Sequence, residues 1–600
     1  MAENPMRDGR PSRRAFGGRV LALGGAVMLG AVPGATAAAS QGGEPGPGGR
    51  RTTLRRGSAE RAGLLAPHLD VLVAEAERFL APSPTRPWYA GAVLLAGRGD
   101  TVALHRAIGS AVRYAAYDEA SDTGIELPPE RRIPMTEDTV FDLASVSKLF
   151  TSILAVQQIE RGALGLETKV AAHLPAFGGG GKQDVTVRQL LTHTSGLRPW
   201  LPLYREPTRE GKLRLLWAES PVHPPGSAPL YSDLNMISLQ LVLEEVTGRG
   251  LDALLHDEIT TPLGMHRTRF NPPPAWRTEI AATEDARPPW SGLDRGMVWG
   301  EVHDENAHSL GGVAGHAGIF SRARDLAVLA RTLLNGGAYG RARILAPASV
   351  ELMFTDFNTA FPGRAHGLGF ELHQHWYMGA MATPRTAGHT GFTGTSLVLD
   401  PTTDTFLIVL GNSVHPVRSW RSGSAPRVAA ANALARAVPV RPVRGRTAWF
   451  SGTDGGTTTT LTLPGVPGAS RLDCALWWDT GPGTDAVVLE ASADSGTTWS
   501  PVSFSTARPG AQPLSHPSGS VGGWSGRVWY EVSARMPVPG PAADPVRLRW
   551  RCSTDLKYVG RGVYVNGLRL LDAAGRPLFD EARPGDAARI DAVGWIRSED

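Results

Sequence analysis

The sequence predicts an α+β domain, with αβα layers around an antiparallel sheet and a mostly helical subdomain, followed by a separate all-β sandwich. Three observations carry that prediction. Apolar residues recur at helical spacing over most of residues 68–437. Strand-like runs lie at both ends of that stretch, Gly91 to Ala96 early and 396–410 late, so distant segments must share one sheet. Beyond the Pro/Arg stretch at 439–444, helical periodicity stops and strict alternation takes over. Six hundred residues also exceed one ordinary domain.

Taken in order, residues 1–39 read as an export signal of the twin-arginine type. Ser12-Arg13-Arg14-Ala15-Phe16 precedes a weakly apolar Gly/Ala/Val/Leu region and Ala35-Thr36-Ala37. Pro33 and the many small residues argue against a retained anchor, and no other apolar stretch approaches spanning length. Without a cysteine near the cleavage site, a lipoprotein is excluded. The expected location is secreted or cell-wall-associated. Residues 40–63, rich in Gly, Pro and Arg, are expected to be a disordered spacer.

The α+β domain should run over 64–438. A helix at 68–80 and another at 426–437 would pack behind a sheet that pairs 91–96 with strands near 395–410. The region 150–340 would form the helical lobe, leaving a crevice between. A linker at 439–446 then leads to the sandwich, 447–600. There Leu472, Cys474, Leu476 and Trp478 recur at every second position, and Val546, Leu548, Trp550 and Cys552 alternate with arginines. Residues 492–499 resemble an Asp-box hairpin, a structural element. Cys474 and Cys552 both fall on an inward face, so either a disulfide or two buried thiols fits the pattern.

Charge excludes one class. The chain carries +4 overall, and the five arginines and two acids of residues 1–39 account for +3 of it. The remainder, at +1, offers no nucleic-acid footprint.

The chemistry concentrates at Ser145-Val-Ser-Lys148. Only five lysines occur in the chain, and this one opens an apolar helix through Leu149, Phe150, Ile153, Leu154 and Val156. At i and i+3 the hydroxyl and the amine share one face, about 5–6 Å apart at Cβ. A lysine stripped of water loses affinity for its proton and can take one from a serine. Two further segments follow: Tyr231-Ser232-Asp233 after a Pro/Gly loop, and Gly388-His389-Thr390-Gly391-Phe392-Thr393-Gly394 before a strand.

Serine then lysine, a loop tyrosine, then a Gly-flanked strand resembles the serine β-lactamase and penicillin-binding protein superfamily, in its class C-like branch. The phrases LLTHTSG at 190–196, PLGM at 262–265 and GGVAGHAGIFS at 311–321 extend the resemblance over roughly residues 65 to 440. It implies an acylated Ser145, Lys148 as first proton acceptor, and Tyr231 as the shuttle to the leaving group. The N–H groups of Ser145 and Phe392 would hold the oxyanion. Asp233, His389, Thr390, Gly391 and Phe392 would contact substrate, with Lys148 and His389 as the cations that tune Tyr231.

Two departures matter. His389 stands where β-lactamases carry lysine, and Asp233 where asparagine would meet a substrate amide; both disfavour anionic β-lactams. No G-x-S-x-G elbow occurs, and His373, His375 and the 303–306 run lack metal-site spacing. His193 and His316 read as loop-fixing residues. The expectation is therefore an exported serine hydrolase without metal or cofactor, acting on a D-alanyl peptide or, second, a carboxylic ester. The rivals are a weak β-lactamase and an inert wall-binding pseudoenzyme. The sandwich would contact cell wall or glycan, or only support the fold.

Overall fold

The structure, a computed structural model, describes residues 52–600 apart from 84, 421–422, 484 and 539–543. The export signal expected at 1–39 lies outside the described residues. Among the described residues, no helix is long and apolar enough to cross a membrane.

One eight-stranded sheet organises the α+β domain. Its main strands are β1 (Arg55–Arg56), β2 (Gly91–Arg98), β3 (Thr101–Val112), β4 (Glu371–Leu372), β5 (Ala387–Thr390), β6 (Thr395–Asp400) and β7 (Thr405–Gly411), in the order β1-β3-β2-β7-β6-β5-β4. Only β1 runs parallel to its neighbour. The pairing of β2 with β7, Leu94 opposite Val409, joins segments more than 300 residues apart. The spacer expected over 40–63 is ordered in its described part. Arg55–Arg56 pairs with β3, and Ala59 is buried, because that segment completes an open sheet edge.

Four helices position the site: α1 (Ala66–Arg78), α2 (Ser147–Glu160), α3 (Asp233–Thr247) and α4 (Ala425–Ala437). Strands that face two helical layers must be apolar on both sides. Thus Ala92, Leu94 and Ala96 of β2, with Leu407 and Val409 of β7, pack against α1 and α4. Val93 and Leu95, with Phe406, Ile408 and Leu410, face the helical lobe. That lobe holds α2, whose residues 147–158 are all buried, which explains its apolar circumference.

The C-terminal region is a sandwich of an eight-stranded and a six-stranded sheet. Strand Arg471–Asp479 contributes Leu472, Cys474 and Leu476, and strand Arg547–Ser553 contributes Leu548, Trp550 and Cys552, to one core. Both cysteines are buried thiols rather than a disulfide. In the 492–499 hairpin, Asp494 accepts from the Thr498 N–H and hydroxyl, a purely structural turn. Buried Arg527 fastens this domain to the first: it pairs with Asp400 at 3.0 Å and Asp479 at 3.1 Å and donates to the Ala380 carbonyl.

Candidate active site

Ser145 sits on a 3-10 turn (Ala144–Val146) that runs directly into α2. Ala144, just before it, is held at φ +46°, a conformation that costs a non-glycine residue about 1–3 kcal/mol. Buried Asp142 holds that bend. One of its carboxylate oxygens accepts the Ala144 N–H at 2.9 Å and the other accepts the His303 N–H at 2.7 Å. The strand edge is stitched to the same bend, with Thr393 Oγ1 donating to the Asp142 carbonyl (2.8 Å) and Thr395 Oγ1 to that of Leu143 (2.9 Å). A Cβ at Gly391 would lie 2.3 Å from the Leu143 carbonyl oxygen, so glycine lets β5 approach. From α4, Arg427 donates to the carbonyls of Gly391 and Thr395 at 2.8 and 3.2 Å. These contacts anchor the segment that carries Phe392 to the bend that leads into Ser145.

Lys148 is 1% exposed. Its Nζ lies 2.8 Å from Ser145 Oγ, 2.8 Å from Asp233 Oδ1 and 3.3 Å from the His316 carbonyl oxygen. Burial opposes its charge, but Asp233 and Tyr231 more than reverse that and hold the amine above its ordinary pKa. The expectation of a lysine neutralised by desolvation is therefore corrected: its counter-ion travels inward with it. Asp233 is corrected with it. Its carboxylate lies against Lys148, because the first turn of α3 aims it at α2.

The Tyr231 ring is 39% exposed, yet its hydroxyl turns inward to Lys148 and Ser145. Burial pushes the phenol up to about 12 against the lowering field of Lys148. The ring packs on His193, centroids 4.6 Å apart, and faces His389 at 6.0 Å. His193 is the loop-fixing residue expected. Its Nδ1 accepts the Ser232 N–H at 3.1 Å and lies 3.0 Å from Asn235 Nδ2, and Asn235 in turn accepts from the Ser195 hydroxyl.

His389 is not a second cation. Burial, then the field of Lys148, lowers it to about 3. Its Nδ1 donates to the Thr390 carbonyl at 2.7 Å, which leaves Nε2 a buried acceptor without a partner. Among the described residues, the fixed cation beside Tyr231 is thus Lys148. Phe392 is 44% exposed and stacks on His303 at 5.7 Å, with the Arg418 guanidinium 5.7 Å from its centroid. Burial alone would raise Glu284 beneath them, but His303 and Arg418 bring it down to about 2.

Sequence reasoning missed Asp142, Asn235 and Arg427, and named Asp304 only as part of the 303–306 run. Asp304 accepts from His316 Nε2 at 2.8 Å, and its carboxylate, that of Asp233 and the His316 ring nitrogen lie within 4.8 Å of one another. That donor set suits a metal poorly, because Lys148 and His316 already engage the two carboxylates. Arg427 carried one faint signal, a guanidinium inside an otherwise alanine-rich helix.

A buried lysine bonded to a serine at a helix start, with a tyrosine above both, defines the site of a serine hydrolase. The chain belongs to the beta-lactamase family, whose model matches residues 76–432. Its relatives include a protein of Escherichia coli K12 named "Putative D-alanyl-D-alanine carboxypeptidase", 33% identical over 48% of this chain and 72% of that one. A protein of the same name from Escherichia coli O157:H7 is 30% identical over 60% of this chain and 86% of its own. Among solved structures, a class C beta-lactamase aligns at TM-score 0.49 and 17% identity, covering 62% of this chain and 97% of that one. A family VIII carboxylesterase aligns at 0.47 and 20%, covering 62% and 98%.

Proposed function

We propose that this protein is an exported acyl hydrolase that forms an acyl-enzyme on Ser145, with a D-alanyl peptide of the cell wall as its substrate. The single observation that carries the reading is the 2.8 Å contact from a fully buried Lys148 to Ser145 Oγ. The names of the relatives support the peptide, and the export signal supports the location.

In acylation, Ser145 Oγ bonds to the substrate carbonyl carbon and gives its proton to Lys148, which passes its own to Asp233. The N–H groups of Ser145 and Phe392 take the developing oxyanion; among the described residues neither has a backbone acceptor. When the C–N bond breaks, Tyr231, neutral at pH 7, donates its proton to the departing amine and is refilled from Lys148 and Asp233. Water then attacks the acyl carbon, its proton returns through the same groups to Ser145 Oγ, and the acid leaves. His389, Thr390 and Gly391 would line the substrate's backbone along β5.

An ester is the second reading, and one observation favours it. With His389 neutral and Lys148 balanced by Asp233, neither offers a free cation to a substrate carboxylate at the strand edge. A serine-directed phosphonate probe tests the enzyme itself: wild type should label and Ser145→Ala should not. An unlabelled, folded wild type would favour a binding-only protein. Rates on a D-alanyl-D-alanine peptide, a p-nitrophenyl ester and a cephalosporin then rank the substrates, with the cephalosporin expected last.

A further inference from the structure

Arginine is usually matched by a carboxylate when buried. One cavity gathers several guanidinium groups around few carboxylates. It lies where the sandwich meets the α+β domain, has a volume of about 270 Å³, and is lined by Arg98, Arg441, Arg527, Arg561, Trp477 and Trp529. Arg527 pairs with two nearby carboxylates, Asp400 and Asp479, while Asp404, the acid that acts most on Arg98, pairs with Arg331. Among the described residues, no carboxylate lies within ion-pair distance of the other three arginines.

Arg561 is the telling member. It is 2% exposed, donates to the Val438 carbonyl, and packs its guanidinium 5.5 Å from the Trp477 centroid. Its Nε is buried without an acceptor. Its side-chain partner is the Tyr564 hydroxyl, Asp479 and Asp600 act on it less strongly, and burial lowers it to about 10. Arg98 likewise spends its donors on the carbonyls of Thr403 and Gly63, at 3.0 and 2.8 Å. Four guanidinium groups line a space walled by two indoles, and among the described residues Arg527 alone of them is paired with carboxylates.

We propose that this cavity is a binding site for a compact polyvalent oxyanion of the phosphate class, free or as a phosphate ester. Guanidinium forks match tetrahedral oxyanions by paired N–H donors, and several arginines outweigh one. The indole walls would seat the carbon skeleton of an ester. The site is independent of Ser145 and does not rest on the hydrolase reading.

The test is thermal unfolding and tryptophan fluorescence of the full chain, titrated with sodium phosphate or with sn-glycerol 3-phosphate, against chloride at matched ionic strength. A saturable rise in Tm of several degrees with phosphate, absent with chloride, is expected. Arg441 is exposed, so Arg441→Gln should fold normally and weaken phosphate at least tenfold; Arg561→Gln should weaken it further. Ser145→Ala should bind phosphate like wild type. Tighter binding of the ester assigns the site to phosphate esters, and equal binding assigns it to the free ion. No saturable phosphate effect, or an Arg441→Gln variant that binds as tightly as wild type, overturns the proposal.

Discussion

The Lys148 ammonium lies 2.8 Å from the Asp233 carboxylate, inside a crevice that leaves the lysine 1% exposed. This pair changes how the serine is activated. An ammonium cannot accept a proton until it gives one up, and Asp233 is the acceptor within reach. The second carboxylate, Asp304, lies close by and accepts from His316 Nε2. The other groups that feel Lys148 are Tyr231, His193, His389 and Glu371.

Ser145→Ala and Lys148→Ala should each cut kcat/KM at least about a thousandfold, as removal of a nucleophile or its proton partner usually does. Far-UV circular dichroism should be unchanged. Either variant retaining more than about a tenth of wild-type turnover would contradict the assigned roles.

Asp233→Asn separates a proton acceptor from a substrate contact. Without the carboxylate the Lys148 ammonium has no acceptor for its proton, and although burial then lowers its affinity, it must shed that proton to solvent before it can act as base, so it becomes competent only above the pH at which the wild-type pair works. The pH optimum of kcat should move to the alkaline side, with kcat at pH 7 down about a hundredfold and KM little changed. Asp233→Glu should restore part of the loss. An unshifted profile with a raised KM would return Asp233 to a substrate contact.

Acid should destabilise the fold through buried neutral histidines. Burial lowers His415 and His389 to about 3 and His366 to about 4, against an ordinary value near 6.5. Their contribution is complete above pH 6.5 and is lost as pH falls toward those values. Tm should therefore drop between pH 7 and 4. His415 accepts the N–H groups of Arg113 and Tyr114 at 3.0 Å each, and His415→Gln should flatten that slope by one proton. A Tm independent of pH over this range would refute the account.

Glu371 works in the opposite direction. Burial raises it from 4.5 to about 7, so its contribution is complete below pH 4.5 and lost as pH rises through 7. Glu371→Gln should gain up to roughly 3 kcal/mol over wild type at pH 8 and little at pH 4. Denaturant melts at the two pH values decide this.

Arg527→Met removes the cation between two buried carboxylates, Asp400 and Asp479. Breaking a buried pair from one side typically costs about 3–5 kcal/mol. Because Asp400 ends β6, the loss should also loosen the sheet that carries His389. Calorimetry should show a lower, broader transition. A single transition at the wild-type Tm would show that the domains are independent.

The sequence by itself determined the layers and the reacting group. Two-sided apolar strands, amphipathic helices and a Ser-x-x-Lys turn are local patterns, and the coil of α2 alone brings Ser145 and Lys148 onto one face. The sandwich was legible in the same way, from alternation at Leu472 to Trp478. What only the tertiary structure decided was charge. Whether Lys148 is neutral depends on Asp233, which lies 85 residues away. Whether His389 is a cation depends on burial beneath Tyr231, and neither depth nor distance is written in local sequence. The same holds for Arg561 and for the order of residues 52–63: desolvation and ion pairing are properties of neighbours in space, and chain order does not list them.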